Sequence, residues 1–369
     1  MDTKRLTNTI KALEDGVARF EDKSFNVYFF VLDTKGNPSA TLRYVYQTAN
    51  TLKELGYNVS LLHQEDNFVG VAGWLGEKYA SLPHLNVKKQ NVEITASDLL
   101  FIPEIYANVM SQTKNLPCKR IAILSNLNYI TEIIPVGVTW FDMGINEVVT
   151  TSKYNEKTIK EYFPGLKTHI VSPFIPNMFR KNTEPQDLLI NVISREPSDV
   201  NKVIKPFFWK YPVYKWVSFR DLRGLPQETF AEALREAAIT IWIDDDTNFG
   251  TSLLEAVRCG GIVLAKVPKV PADWMIDEKG VLNNAIIWFD DIRKIPDVIA
   301  SVVRTWLIDE IPQEIYNDAE KLNSTYTKEE HEKEVLDVYV KDIFENRKKE
   351  LKEAAEQFRS QLNKMEESE

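Results

Sequence analysis

Residues 239–266, ITIWIDDDTNFGTSLLEAVRCGGIVLAK, constrain the fold of this chain more than any other stretch. An apolar run of strand length ends at Ile243, and Asp244, Asp245, Asp246, Thr247 and Asn248 make a polar loop behind it. Gly250 supplies a backbone free to adopt angles closed to other residues, and a helical pattern begins near Ser252. Gly260 and Gly261 stop that helix and lead into a second apolar run at 261–265. Two fully apolar strands joined by a short helix read as a βαβ unit, whose parallel sheet is covered on both faces. The first amides of such a helix lack intrahelical partners and face outward, which favours an anion such as phosphate.

The same alternation runs through most of the chain. Residues 26–32 (NVYFFVL) read as a buried strand, and DTKGNPSAT after them as a loop. Leu42, Val45, Tyr46, Ala49, Leu52 and Leu55 then recur at helical spacing, Gly56 ends the helix, and residues 58–62 form the next strand. Further strands are expected at 98–102, 120–124, 147–151 and 169–171. After the polar stretch KNTEPQD at 181–187, read as a linker, a second series opens. Its strands are expected at 188–193, 214–219, 239–243, 261–265 and 285–289, with a helix over 227–238. At 369 residues the chain exceeds what one core usually supports. The expectation is therefore an α/β protein of two doubly wound, Rossmann-like domains facing a cleft, over 1–178 and 179–310. Residues 311–369 are expected to return to the first domain and end in a long helix. Its stripe (Leu336, Val340, Phe344, Leu351, Ala355, Phe358, Leu362, Met365) has coiled-coil-like spacing. That stripe either packs on the chain's own first domain or joins copies into a homo-oligomer.

Composition narrows the function classes. Cys118 and Cys259 are the only cysteines, so neither a disulfide framework nor a cysteine zinc site can be built. His63, His84, His169 and His331 show no metal-ligand spacing. A net charge of −9 disfavours non-specific binding to nucleic acid or anionic lipid. The N-terminus lacks a secretory apolar region, and no run of eighteen apolar residues spans a membrane. A cytoplasmic protein with no integral membrane segment is the expectation.

Residues 247–263, T-N-F-G-T-S-L-L-E-A-V-R-C-G-G-I-V, are similar to a segment of many GT-B glycosyltransferases of the GT4-like group, E-G-F-G-x-x-x-x-E-A-x-x-x-G-x-P-V. Phe249, Gly250, Glu255, Ala256, Gly260 and Val263 match, whereas the family's first acid and glycine fall on Thr247 and Asn248. The resemblance implies that Phe249, Gly250, Thr251 and Glu255 hold the donor nucleotide and diphosphate, Glu255 by the ribose. Thr247 and Asn248 would then face the donor sugar. Glu255 has a second reading, since Ser252 to Glu255 also fits a capping box. Arg195, two residues past the strand of 188–193, resembles the family's diphosphate-clamping Arg, and Lys202 or Lys205 its Lys. Arg223 and Gly224 resemble the loop that touches the nucleobase, and Gly36 the glycine loop beside the donor. Glu104, Ser125 and Asn126 follow strands where acceptor-side residues lie in the family. No histidine stands at Ser125 or Asn126, where many relatives carry one, so no catalytic acid or base is assigned.

The resemblance implies transfer of a sugar from a nucleotide-diphosphate donor to an acceptor hydroxyl, retaining, with no required metal or other cofactor. The acceptor stays open between glycan, protein, lipid-linked sugar and modified nucleic-acid base. Two alternatives stand beside this. One is a non-catalytic nucleotide-sugar-binding or assembly protein, motivated by Thr247. The other is a metal-dependent transferase using Asp244, Asp245 and Asp246, since carboxylates suit a divalent cation bridging a diphosphate.

Overall fold

The computed structural model describes residues 3–181, 186–247 and 249–366. The chain forms two compact units, one of residues 1–72, 77–172 and 331–369 and one of 73–76 and 173–330.

The first unit carries seven parallel strands: β1 (Asn26–Phe30), β2 (Asn58–His63), β3 (His84–Asn86), β4 (Leu99–Pro103), β5 (Lys119–Leu124), β6 (Glu147–Thr150) and β7 (Lys167–Ile170). Their order is β3-β2-β1-β4-β5-β6-β7. Its helices begin with α1 (Thr3–Glu21) and α2 (Ala40–Glu54), capped where the Ser39 hydroxyl accepts the Leu42 N–H. After the short turn α3 (Ala72–Leu75), which apart from Ala72 belongs to the second unit, come α4 (Glu77–Ala80), α5 (Ala107–Gln112), α6 (Leu127–Ile133) and α7 (Lys153–Tyr162). β1 sits mid-sheet because both of its faces are apolar. The Phe29 ring stacks on its register partner Phe101 at 4.9 Å. Phe30 meets Tyr106 edge-on at 5.0 Å on the opposite face.

The second unit has a five-stranded parallel sheet of order β12-β11-β10-β8-β9. Its strands are β8 (Asp187–Ser194), β9 (Ser218–Asp221), β10 (Ala237–Ile243), β11 (Ile262–Lys266) and β12 (Ile286–Phe289). Its helices include α8 (Pro197–Lys210), α9 (Gln227–Glu236), α10 (Thr251–Arg258), α11 (Ile295–Leu307) and α12 (Gln313–Asn323). Two expected elements move. Residues Pro212–Tyr214 form a 3₁₀ turn, so β9 starts only at Ser218, and α9 ends at Glu236 because Ala237 and Ala238 are buried at the start of β10.

Both expected boundaries shift as well. Ile175 and Phe179 are buried in the second unit's core, so that unit starts at Pro173, not at 179. Residues 311–330 also stay there, because Leu322 and Tyr326 pack into the same core and the Tyr326 carbonyl accepts the Ile175 N–H at 2.9 Å. The chain rejoins the first unit at His331, within α13 (Lys328–Val335). A π-helical stretch (Leu336–Phe344) and α14 (Glu345–Glu366) complete the tail. Tyr339 of the π stretch lies on Phe101 at 4.9 Å. α1 runs antiparallel along α14, with Glu21 paired to Lys348 and Glu14 to Arg359. The stripe read as a seam between copies is therefore covered at Leu351 and Ala355 within the chain itself. Among the described residues no helix is long and apolar enough to cross a membrane.

Candidate functional site

In the second unit β8 and β10 are neighbours, and their register sets Ser194 opposite Ile243. The next residue on each strand, Arg195 and Asp244, therefore meets the other at the carboxyl edge, with Arg195 Nε donating to Asp244 Oδ2 at 2.8 Å. Burial raises the Asp244 carboxyl above its usual range, and the Arg195 charge opposes that rise only in part. Half of the Arg195 side chain remains exposed on this edge. The other two aspartates turn elsewhere, Asp245 to Lys266 at the end of β11 and Asp246 to Lys269 at 2.9 Å. The triple-aspartate reading expected three carboxylates gathered around one cation. Three separate side-chain cations neutralise them instead, and no group of three metal-ligating side chains occurs among the described residues.

The turn from β10 into α10 depends on Gly250. It caps the helix in the left-handed region, at φ 71° and ψ 42°. A Cβ here would meet the mobile methyl end of Met275 and touch Trp274 at an ordinary contact distance, so it is the left-handed backbone that calls for glycine. Around it, Thr247 Oγ1 accepts the Gly250 N–H at 3.1 Å, and Trp274 Nε1 donates to the Phe249 carbonyl at 2.7 Å. Thr251 is the first helical residue, which places its amide among those with no intrahelical acceptor. Ser252 is already inside the helix and its hydroxyl accepts the Trp242 indole N–H at 3.1 Å. The capping-box reading of Ser252 and Glu255 is thereby corrected: the cap is Gly250, so Ser252 and Glu255 are the second and fifth residues of α10 and do not stand at the N-cap and third positions that a capping box requires. Glu255 is buried one turn into α10, and its charge acts on Arg258 and Cys259.

Phe249 is a core residue, buried and edge-on to Tyr326 at 5.1 Å. Lys202 projects from α8 and is held by Asp199 at 2.7 Å, whose other oxygen accepts the Ser194 hydroxyl at 3.2 Å. Arg223 folds back on Asp221 with Nε–Oδ2 2.8 Å, while Gly224 turns the backbone at φ 69° after β9. Arg195, Lys202, Thr247, Gly250, Thr251, Arg223 and Gly224 thus share the second unit's carboxyl edge or the first turns beyond it. Gly36 belongs to the first unit, in a tight turn at φ 83° next to Asp33. Asn248 lies outside the described residues.

One group at the first unit's carboxyl edge was not singled out for its ionisation. Glu104, at the end of β4, is fully buried and accepts the Ser125 hydroxyl at 2.7 Å and the Asn126 N–H at 2.9 Å. Ser125 in turn meets the Thr41 hydroxyl at 2.6 Å. Burial pushes the Glu104 carboxyl up to about 7, against these hydrogen bonds. An acid directly after an apolar strand was the only sequence signal for it.

Several solved structures that superpose on this chain are glycosyltransferases. Sucrose-phosphate synthase from Thermosynechococcus elongatus superposes with a TM-score of 0.60 at 11% identity, over 85% of this chain and 98% of that one. HepE of Anabaena, in complex with UDP and glucose, gives 0.62 at 11% over 85% and 98%. The chain has the GT-B glycosyltransferase fold. A curated relative, the alpha-1,6-glucosyltransferase of Actinobacillus pleuropneumoniae serotype 7 (strain AP76), is 23% identical over 244 residues, 64% of this chain and 70% of that protein. No protein-family model matches the chain. Within the GT-B fold, the β10–α10 turn lies at the carboxyl edge of the second unit's sheet, where open α/β sheets hold ligands.

Proposed function

We propose that this chain is a GT4-like transferase that moves a hexose from a nucleoside-diphosphate donor to an acceptor hydroxyl, with retention and without a required metal. UDP-glucose is the donor to test first, because the sequence relative is a glucosyltransferase and HepE was captured with UDP and glucose. The observation that carries the reading is the left-handed Gly250 turn, which opens α10 beside Arg195 on one sheet edge. Helix-start amides and a guanidinium are suited to a diphosphate, whose growing charge they stabilise as it leaves. Arg195 would exchange Asp244 for the diphosphate, Lys202 would add a second positive charge, and Glu255 would serve the ribose. Arg223 and Gly224 would flank the base, and Thr247 the sugar. Catalysis then rests on positioning and electrostatics, with no side chain assigned as acid or base.

Calorimetric titration with UDP, then with UDP-glucose in the presence of EDTA, tests this directly. Binding of UDP is expected, and Arg195→Met should weaken it by about 10-fold or more, the scale of one charge-assisted contact. Absence of nucleotide binding would sink the proposal. A second reading, a nucleotide-sugar binder without turnover, draws on Thr247, whose hydroxyl is engaged by Gly250 at a position where the family carries an acid. Tight UDP binding with no glucose released or transferred would favour that reading.

A further inference from the structure

Two of the eight tryptophans are exposed, and both belong to one short segment of the second unit. Trp209 ends α8 with 75% of its surface accessible, Val213 follows at 72% and Trp216 at 55%. The backbone carrying them is fixed from beneath. Phe207 is fully buried and its ring stacks with Tyr214 at 5.8 Å, while Phe207 and Phe208 each meet Phe219 at 5.5 Å. The outward residues are thus presented by an ordered aromatic platform. Between Val200 and Phe219 the sequence holds four lysines and no acid, in a chain of net charge −9. Lys202 and Lys210 are taken by Asp199 and Asp297. Lys205 and Lys215 have no ion-pair partner among the described residues. Lys205 precedes Trp209 by one helical turn and so lies on the same face of α8.

We propose that this face docks the second unit on an anionic lipid surface. Tryptophan favours the boundary between headgroups and acyl chains, because its ring is apolar and its N–H polar. The two unpaired lysines beside the indoles supply the attraction to anionic headgroups, which a chain of this overall charge otherwise lacks. The acidic remainder would be repelled, which selects one orientation. Docking is peripheral and independent of the sugar-transfer reading.

The test is flotation of the full chain with vesicles of phosphatidylcholine and phosphatidylglycerol, compared with vesicles of phosphatidylcholine alone, without any nucleotide sugar. Retention is expected on the anionic vesicles and not on the neutral ones, and it should fall as salt screens the lysines. The double substitution Lys205→Gln and Lys215→Gln should lower partitioning about 30-fold, from two charges near an anionic surface. Trp209→Ser with Trp216→Ser should abolish retention, with an unchanged thermal midpoint showing that the fold survives. Retention equal on both vesicle types, or none on the anionic ones, overturns the proposal. So does an unaltered lysine variant. Gel filtration of the chain without vesicles supplies the remaining arm: an oligomer dissolved by the tryptophan substitutions assigns the face to a second copy instead.

Discussion

Thr247 shows how one residue can serve the backbone where a related segment serves the substrate. Its hydroxyl accepts the N–H of Gly250, and both residues are buried. Thr247→Val keeps the shape and removes the acceptor, leaving a buried N–H unpaired at a cost of about 1–3 kcal/mol. Thr247→Ser retains the oxygen and should cost much less. Urea unfolding of the two variants checks this, and a Ser variant less stable than the Val variant would show that the methyl group, not the hydroxyl, matters. The position was conspicuous in the sequence only as a departure from a motif. What replaces the motif's acid became visible only with the coordinates, because a hydroxyl accepting an N–H three residues on leaves no compositional mark.

At the scale of elements, legibility followed periodicity. β1, β5, β10 and β12 are apolar runs with few rivals, and their positions follow from hydrophobic pattern and the turn formers around them. β3 is three residues long with Leu85 its one apolar residue, so its sequence carries no strand pattern. α1 was missed because its charges dominate the reading. Only its buried face, including Leu6, Ile10 and Gly16, shows that it packs on α14. Gly16 offers a test of that packing. A Cβ there would sit 3.4 Å from Leu351 Cδ1 and 3.6 Å from Ser97 Cβ, ordinary contact distances or nearly so. Gly16→Ala should therefore realise most of the helix-propensity gain, about 0.5–1 kcal/mol, seen as a higher midpoint in thermal unfolding. A lower midpoint would mean that α1 and α14 approach more closely than this. The stripe of α14 needed the partner helix to be interpreted, since heptad-like spacing is the same for a neighbour within the chain and a neighbour in another copy.

At the scale of the whole molecule, two acids of the first unit tilt stability in opposite directions. The Glu104 carboxyl, ordinarily near 4.5, is pushed up to about 7 by burial. Between those values the folded chain keeps a proton that the unfolded chain has released, so stability falls as pH rises, by about 3 kcal/mol over the window. Glu147 behaves in reverse. Burial alone would raise it, but hydrogen bonds from His169 at 2.7 Å and Lys119 at 2.8 Å, with the charge of Lys167, hold it down to about 2. As pH drops from 4.5 toward 2 the unfolded chain takes up a proton that the folded chain refuses, and a similar 3 kcal/mol or so is lost. Lys119 also bonds Glu350 of α14, and Lys167 bonds Asp342 of the π stretch, so the Glu147 cluster ties the tail to the sheet. The first unit is accordingly expected to lose stability on both sides of mildly acidic pH. Glu104→Gln should flatten the alkaline arm while keeping an oxygen for Ser125 and Asn126. Glu147→Gln should flatten the acid arm and destabilise the protein where the wild type has its maximum. Denaturant unfolding from about pH 3 to about pH 8 reads both arms. An alkaline slope surviving in Glu104→Gln would place the buried proton on another group, and with it the ionisation assigned to the edge where Ser125 and Thr41 meet.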